Sequence, residues 1–165
     1  MKNTIILDDK QIAQRIRRIA YEIFESNVNE EEVILAGIIG NGYKLAQMIS
    51  EQLESISPLK IVLCEVQIDK KHPREQITTS IPVATYQNKS LVLIDDVLHT
   101  GTTLIYGVKH FLDVPLTQFK TAVLVDRNHK RYPIKADYKG ISLSTSLNEN
   151  VAVEFAESKA LALLE

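Results

Sequence analysis

Hydrophobic and polar positions change period several times along the chain, and each change marks an element. In "DDKQIAQRIRRIAYEIFESN" (residues 8–27) apolar side chains recur at Ile12, Ile16, Ile19, Ile23 and Phe24, the three-and-four spacing of an amphipathic helix. Asp8 or Asp9 is placed to cap it, because a carboxylate before the first turn accepts from the free N–H groups there. "EVILAGI" (32–38) is short and apolar throughout, which reads as a strand buried on both faces, and "GYKLAQMISEQLESI" (42–56) returns to a helical period. "LKIVLCEV" (59–66), "SLVLIDDV" (90–97) and "FKTAVLVDR" (119–127) predict three more strands, with a helix over "TTLIYGVKHFLD" (102–113). Residues 67–88 fit neither period. They are polar and broken by Pro73 and Pro82, so they predict an excursion, a hairpin with a mobile tip, rather than a linker. The tail from Ala136 on predicts short edge strands and turns closed by a terminal helix.

Strands that alternate with helices need crossover connections, which build a parallel sheet covered on both faces. The expected class is therefore α/β, an open, mainly parallel sheet flanked by helices. A length of 165 residues fits one domain over 1–165. Ligands of such sheets bind beyond the carboxyl ends of the strands, where Gly37, Asp95, Asp96 and Asp126 fall.

Composition narrows the partners. A net charge of -2 argues against a generally basic, nucleic-acid-coating surface. Cys64 is the one cysteine and lies in an apolar run, which reads as a buried thiol in a reducing compartment. The first residues, "MKNTIILDDKQ", lack the apolar core of a signal peptide, and no segment is apolar enough to span a bilayer. A cytoplasmic protein is expected.

The chemistry concentrates in "LVLIDDVLHTGTTL" (91–104). Successive N–H groups of a turn that enters a helix form an anion site, strengthened by the helix dipole. "HTGTT" suits one small phosphate: Gly101 lets the backbone approach, and Thr100, Thr102 and Thr103 add hydroxyl donors. Asp95 and Asp96 would repel that phosphate if they touched it. They make sense gripping neutral hydroxyls or a divalent cation elsewhere on the same molecule. A phosphate at one end and a diol at the other describe a ribose 5-phosphate.

"VLIDDVLHTGTT" resembles the phosphoribosyl-pyrophosphate signature of type I phosphoribosyltransferases. Along nearly the whole chain, "ILDDKQIAQRIRRIAYEI", "AVLVDRNHKRYPIKADYKG" and "STSLNENVAVEF" resemble the pyrimidine-operon attenuation regulators that double as uracil phosphoribosyltransferases. A weaker likeness to hypoxanthine-guanine phosphoribosyltransferases lies in "GNGYKLA" and "ADYKG". The resemblance implies the type I fold with a small base-binding hood. It implies Mg²⁺-dependent transfer of phosphoribose from phosphoribosyl pyrophosphate to a nucleobase, uracil first, in a homodimer or larger oligomer.

Residue by residue, the resemblance implies that Asp95 and Asp96 hold the ribose hydroxyls, partly through Mg²⁺. Thr100, Gly101, Thr102 and Thr103 cradle the 5-phosphate. His99 fills the signature's variable position, where purine-specific relatives often carry an aspartate, and so favours a pyrimidine. Gly40, Asn41 and Gly42 form the pyrophosphate loop; regulator-type relatives carry a basic residue and Thr-Arg-Gly where this chain has Ile39 to Gly42, so the direct grip on pyrophosphate is weaker. The excursion 67–81 matches the flexible catalytic loop, with Lys70, Lys71, His72 and Arg74 as replacement cations. For the base, Tyr138 is expected to stack on the ring, the Lys139 backbone to bond its exocyclic oxygens, and Arg127 to approach base or phosphate. Arg15, Arg17, Arg18, Lys130, Arg131 and Lys135 match RNA-facing basic stretches, whereas Ile141 stands where relatives place a lysine.

Three alternatives accompany that reading. One is an RNA-binding attenuation regulator that senses nucleotides through the same pocket with little or no transferase activity. Another is a purine phosphoribosyltransferase. The third, a phosphorylated receiver domain, requires its acid pair after the first strand and leaves "HTGTT" without a role.

Overall fold

A computed structural model describes residues 3–165. The chain runs β1 (Thr4–Leu7), α1 (Asp9–Ser26), β2 (Glu32–Ile38), α2 (Asn41–Ile56), β3 (Lys60–Gln67), β4 (Thr78–Thr79), α3 (Val83–Tyr86), β5 (Ser90–Leu98), α4 (Thr102–Phe111), β6 (Gln118–Arg127), β7 (Tyr138–Leu143), β8 (Val151–Phe155) and β9 (Ala160–Leu164). Six strands form one sheet in the order β4-β3-β2-β5-β6-β7. Its ladders are parallel from β3 to β7, and β4 alone is antiparallel.

The sheet is covered on both faces, as the uniformly apolar strands require. On one face α1 and α2 bury Ile12, Ile16, Ile19, Ile23, Leu45, Ile49 and Leu53 against Leu35, Val92 and Leu124. On the other, α3 and α4 supply Tyr86, Leu104 and Phe111 over Ile34, Leu91 and Val123. Asp8 caps α1 with a complete capping box: its side chain accepts the Gln11 N–H while the Gln11 side chain accepts the Asp8 N–H.

The excursion is a hairpin at its base, where Val66 pairs with Thr79 and Gln67 with Thr78. Successive turns from Asp69 to His72 and from His72 to Glu75 make its tip, and the chain returns through α3 to β5.

The expected terminal helix does not form. "ALALL" is β9, the middle strand of a second, antiparallel sheet ordered β1-β9-β8. Ala and Leu favour helix by only tenths of a kcal/mol per residue. Here Ala160, Ala162 and Leu163 are buried, and ladders on both sides, to β1 and β8, outweigh that preference. Asn150 and Glu165 close the sheet by exchanging backbone hydrogen bonds.

Candidate active site

The order of the large sheet reverses between β2 and β5: the chain leaves β2 for β3 on one side and returns to β5 on the other. A crevice opens at such a reversal, beyond the carboxyl ends of the strands. A cleft of about 430 Å³ lies there, lined by Asn41, Lys70, residues 95–104, Arg127 and residues 150–153. That volume suits a small-molecule site.

Two helices begin at this edge, α2 after Gly40 and α4 after Gly101. Neither N-cap makes a side-chain capping bond. In contrast with the fully capped α1, neither has its first turn closed by a capping side chain on the N-cap residue, and at α4 the Thr102 N–H makes only a long 3.4 Å bond to Thr100 Oγ1. Gly101 takes a left-handed φ of +85°, and a Cβ there would lie 2.4 Å from Ile134 Cγ2. Packing against Ile134 thus joins backbone freedom as a reason for glycine. The Arg131 and Tyr132 N–H groups both donate to the Thr100 carbonyl, at 2.8 and 3.1 Å, and fix the turn from behind. Within it the Thr100 and Thr102 hydroxyls are 3.0 Å apart.

The acid pair ends the buried part of β5. Asp95 is almost fully buried and Asp96 is half-buried. Asp95 Oδ1 accepts the Asp96 N–H at 2.9 Å and lies 3.6 Å from Lys70 Nζ. Asp96 Oδ1 accepts the Val97 N–H at 2.8 Å, and its Oδ2 accepts from Asn41 Nδ2 at 3.1 Å. Burial, then the neighbouring Asp96 charge, pushes the Asp95 carboxyl up to about 7, against a smaller pull from Lys70. Gly42 belongs to the same construction: a Cβ there would sit 2.9 Å from the Ile94 carbonyl and 3.0 Å from Asp95 Oδ1. Gly40 alone in that loop needs a positive φ, +88°.

Arg127 is 2% exposed, and among the described residues no carboxylate lies at salt-bridge distance from it. Its Nε and Nη2 donate to Thr145 Oγ1, and Nη2 also donates to the Glu149 carbonyl. Burial lowers its pKa from the ordinary value, but a guanidinium remains charged. His99 sits beside it, and partial desolvation, Arg127 and His129 all push the imidazole below its usual value. A second, more basic hollow, lined by His99, Arg127, His129, Lys130 and Arg131, adjoins the cleft.

The expected site residues divide accordingly. Asp95, Asp96, His99, Thr100, Gly101, Thr102, Thr103, Asn41, Lys70 and Arg127 meet in one cleft. Lys71 and Arg74 are exposed on the hairpin tip and do not line it; Arg74 instead borders a small hollow against α4.

Tyr138 and Lys139 are not brought to the cleft. Tyr138 pairs with Ala122 at the start of β7, and its ring is buried among core residues under α1. The Lys139 carbonyl accepts from Arg18 Nη2 at 2.6 Å, and its ammonium lies 3.6 Å from Asp126. The wall beside Arg127 is instead Asn150 with Val151, Ala152 and Val153 of β8 in the small sheet. "STSLNENVAVEF" contains that wall, but nothing in its local pattern reveals that a strand from another sheet folds over the cleft.

The basic stretches are also partly occupied. Arg18 binds the Lys139 and Gly140 carbonyls and Glu22, Arg17 stacks on Tyr21, Lys130 pairs with Asp126, and Lys135 lies 3.7 Å from Asp137. Among the described residues no helix is long and apolar enough to cross a membrane.

Comparison with known proteins places the chain in a family. The family model described as "Phosphoribosyl transferase domain" matches residues 2–158. The bifunctional protein PyrR of Streptococcus equi subsp. zooepidemicus is 38% identical over 163 residues, covering 95% of this chain and 92% of that protein. The PyrR of Streptococcus mutans serotype c is 36% identical, with 95% and 91% covered. Among solved structures, the hypoxanthine phosphoribosyltransferase of Trypanosoma cruzi superposes with a TM-score of 0.79 at 16% identity, covering 96% of this chain and 95% of that one. A hypoxanthine-guanine phosphoribosyltransferase from Bacillus anthracis gives 0.72 at 13%, with 87% and 84% covered. At those identities the structures speak for the fold, while the family model and the streptococcal sequences span almost the whole molecule: the chain belongs to the phosphoribosyltransferase family.

Proposed function

We propose that the protein transfers phosphoribose from phosphoribosyl pyrophosphate to uracil, giving the nucleoside monophosphate and pyrophosphate, in the cytoplasm. The observation that carries this reading is one cleft lined by both a phosphate-type turn and an acid pair. The turn takes the 5-phosphate on the first-turn N–H groups of α4 and the hydroxyls of Thr100, Thr102 and Thr103. Asp95 and Asp96 take the ribose hydroxyls. Displacement of pyrophosphate at the anomeric carbon develops positive charge on the sugar, which the carboxylates are placed to stabilise. Of the hairpin cations, Lys70 lines the cleft and is placed to meet the leaving group, with Lys71 and Arg74 on the same tip outside it.

The acid pair also fits a divalent cation. It offers hard oxygen ligands side by side at the cleft floor, on Asp95, which is almost fully buried, and on the half-buried Asp96. Mg²⁺ held by Asp95 and Asp96 would neutralise charge on the donor and organise its hydroxyls.

The base faces Arg127 and the wall of residues 150–153. His99, held toward its neutral form, offers one donor and one acceptor to a pyrimidine edge. Uracil follows from that polar side and from the PyrR relatives, whose name records two functions. The second function, RNA-linked regulation in response to nucleotide, draws support from the basic hollow of His99, Arg127, His129, Lys130 and Arg131 beside the cleft. The internal pairing of Arg18, Lys130 and Lys135 ranks it below catalysis.

A panel of bases incubated with phosphoribosyl pyrophosphate and Mg²⁺, scored for nucleotide formation, tests the proposal. Uracil should be the best acceptor. Conversion of hypoxanthine or guanine ahead of uracil would transfer the assignment to purines. Nucleotide-enhanced retention of a pyrimidine-gene leader RNA, steeply weakened by salt and accompanied by no transfer to any base, would make the protein a regulator.

A further inference from the structure

The wall of residues 150–153 is held at both ends by side chains that themselves face the cleft. At one end Arg127 donates to the Glu149 carbonyl. At the other, Asn41 Nδ2 donates to the Val153 carbonyl at 2.7 Å and to Asp96 Oδ2 at 3.1 Å. An amide nitrogen has two protons, and both are used here, one on the wall and one on the acid pair. In its own sheet β8 pairs only with β9 among the described residues, so this amide is a direct tie from β8 to the carboxylates on β5.

Asn41 is well placed to keep that tie rigid. It is the first residue of α2, behind Gly40 with its positive φ of +88°, and Gly42 seats the turn against the Ile94 carbonyl. An aspartate at this position would set a like charge against Asp96. An alanine would leave a carboxylate oxygen and a half-buried carbonyl each short of a donor, which costs more than the bonds contribute net.

We propose that Asn41 is a positioning residue: it fixes the distance between the wall that meets the base and the acids that hold the ribose. The kinetic consequence rests on the transferase reading; the structural tie does not. A position that regulator-type relatives fill with a cation for the leaving group is used in this chain to register base against sugar. The cationic contribution to pyrophosphate binding therefore falls to the hairpin.

Asn41→Ala in the full chain tests this, because alanine suits the first turn of a helix and leaves the fold intact. In ligand-free protein, hydrogen exchange at amides of residues 151–155 should accelerate about tenfold, the equivalent of losing roughly one good hydrogen bond. Amides of residues 90–94 should be unchanged. In steady-state assays KM for uracil and for the donor should rise together, each about tenfold. Unchanged exchange in β8 would overturn the tie. An unaltered KM for uracil with only weaker pyrophosphate inhibition would also overturn it, since Asn41 would then act on the leaving group alone. If the wild-type protein transfers to no base while β8 exchange still accelerates, the tie stands and the transferase reading falls. Calorimetric titration with UMP then replaces the kinetic arm, with about tenfold weaker binding by the variant expected and equal binding refuting it.

Discussion

Asp95 should cost the ligand-free protein stability, and Asp95→Asn should recover it at the expense of function. The side chain is buried beside a second carboxylate, and its carboxyl is pushed from 3.8 up to about 7. In the unfolded chain it ionises near pH 4, whereas the folded protein keeps the proton until about 7. Between those values the folded state binds more protons than the unfolded state, so stability falls as pH rises across that window and levels off above it. A shift of about three units corresponds to about 4 kcal/mol. For a buried acid beside a second carboxylate, about 2–4 kcal/mol is the range to test. Asparagine keeps the shape and the acceptor for the Asp96 N–H, and it loses only the half-exposed Lys70 contact, which is worth little. Thermal unfolding of wild type and variant in chelator should therefore differ least at and below pH 4 and diverge toward pH 8. The variant should melt roughly 5–15 °C higher there, at 2–4 °C per kcal/mol for a chain of this size. Mg²⁺ at pH 8 should raise the wild-type melting temperature and leave the variant's almost unchanged, while transfer activity falls by orders of magnitude. A variant no more stable than wild type at pH 8, or a difference independent of pH, would refute the reasoning.

Gly101→Val places a side chain at φ +85° and 2.4 Å from Ile134 Cγ2; it should destabilise the fold by about 2–4 kcal/mol and weaken ribose 5-phosphate binding at least tenfold by calorimetry. A Lys70, Lys71, Arg74 triple alanine variant should lower turnover strongly while UMP affinity, measured by titration, stays within about twofold, because UMP carries no pyrophosphate. Tyr138→Phe should leave KM for uracil unchanged, since the ring lies in the core. Ala152→Phe, on the wall, should raise that KM more than tenfold; the reverse ranking in steady-state kinetics would return the base site to β7.

Much of the fold was legible because the relevant forces are local. The period of Ile12, Ile16, Ile19 and Ile23 demands one buried helical face, and uniformly apolar runs such as "EVILAGI" demand a strand covered on both sides. The acid pair, threonines and glycine of "DDVLHTGTT" stood out in the sequence because they are neighbours in the chain, and the fold gathers them into one cleft. The base site was different. Tyr138 sits in a stretch that looks like a binding motif, yet the register of β7 against β6 places it one strand-length below the cleft, under α1. Residues 150–153 reach the cleft only because β8 joins β9 and β1 in a second sheet, and that pairing links the two ends of the chain. "ALALL" has helix-favouring composition, and only long-range hydrogen bonds with burial between β1 and β8 make it a strand. The same holds for Asn41, whose role depends on a carbonyl 112 positions away. Sequence alone picked out the acid pair and the threonine-glycine turn; tertiary structure decided what shares the cleft with them, because contacts between distant segments leave no periodic trace in either segment.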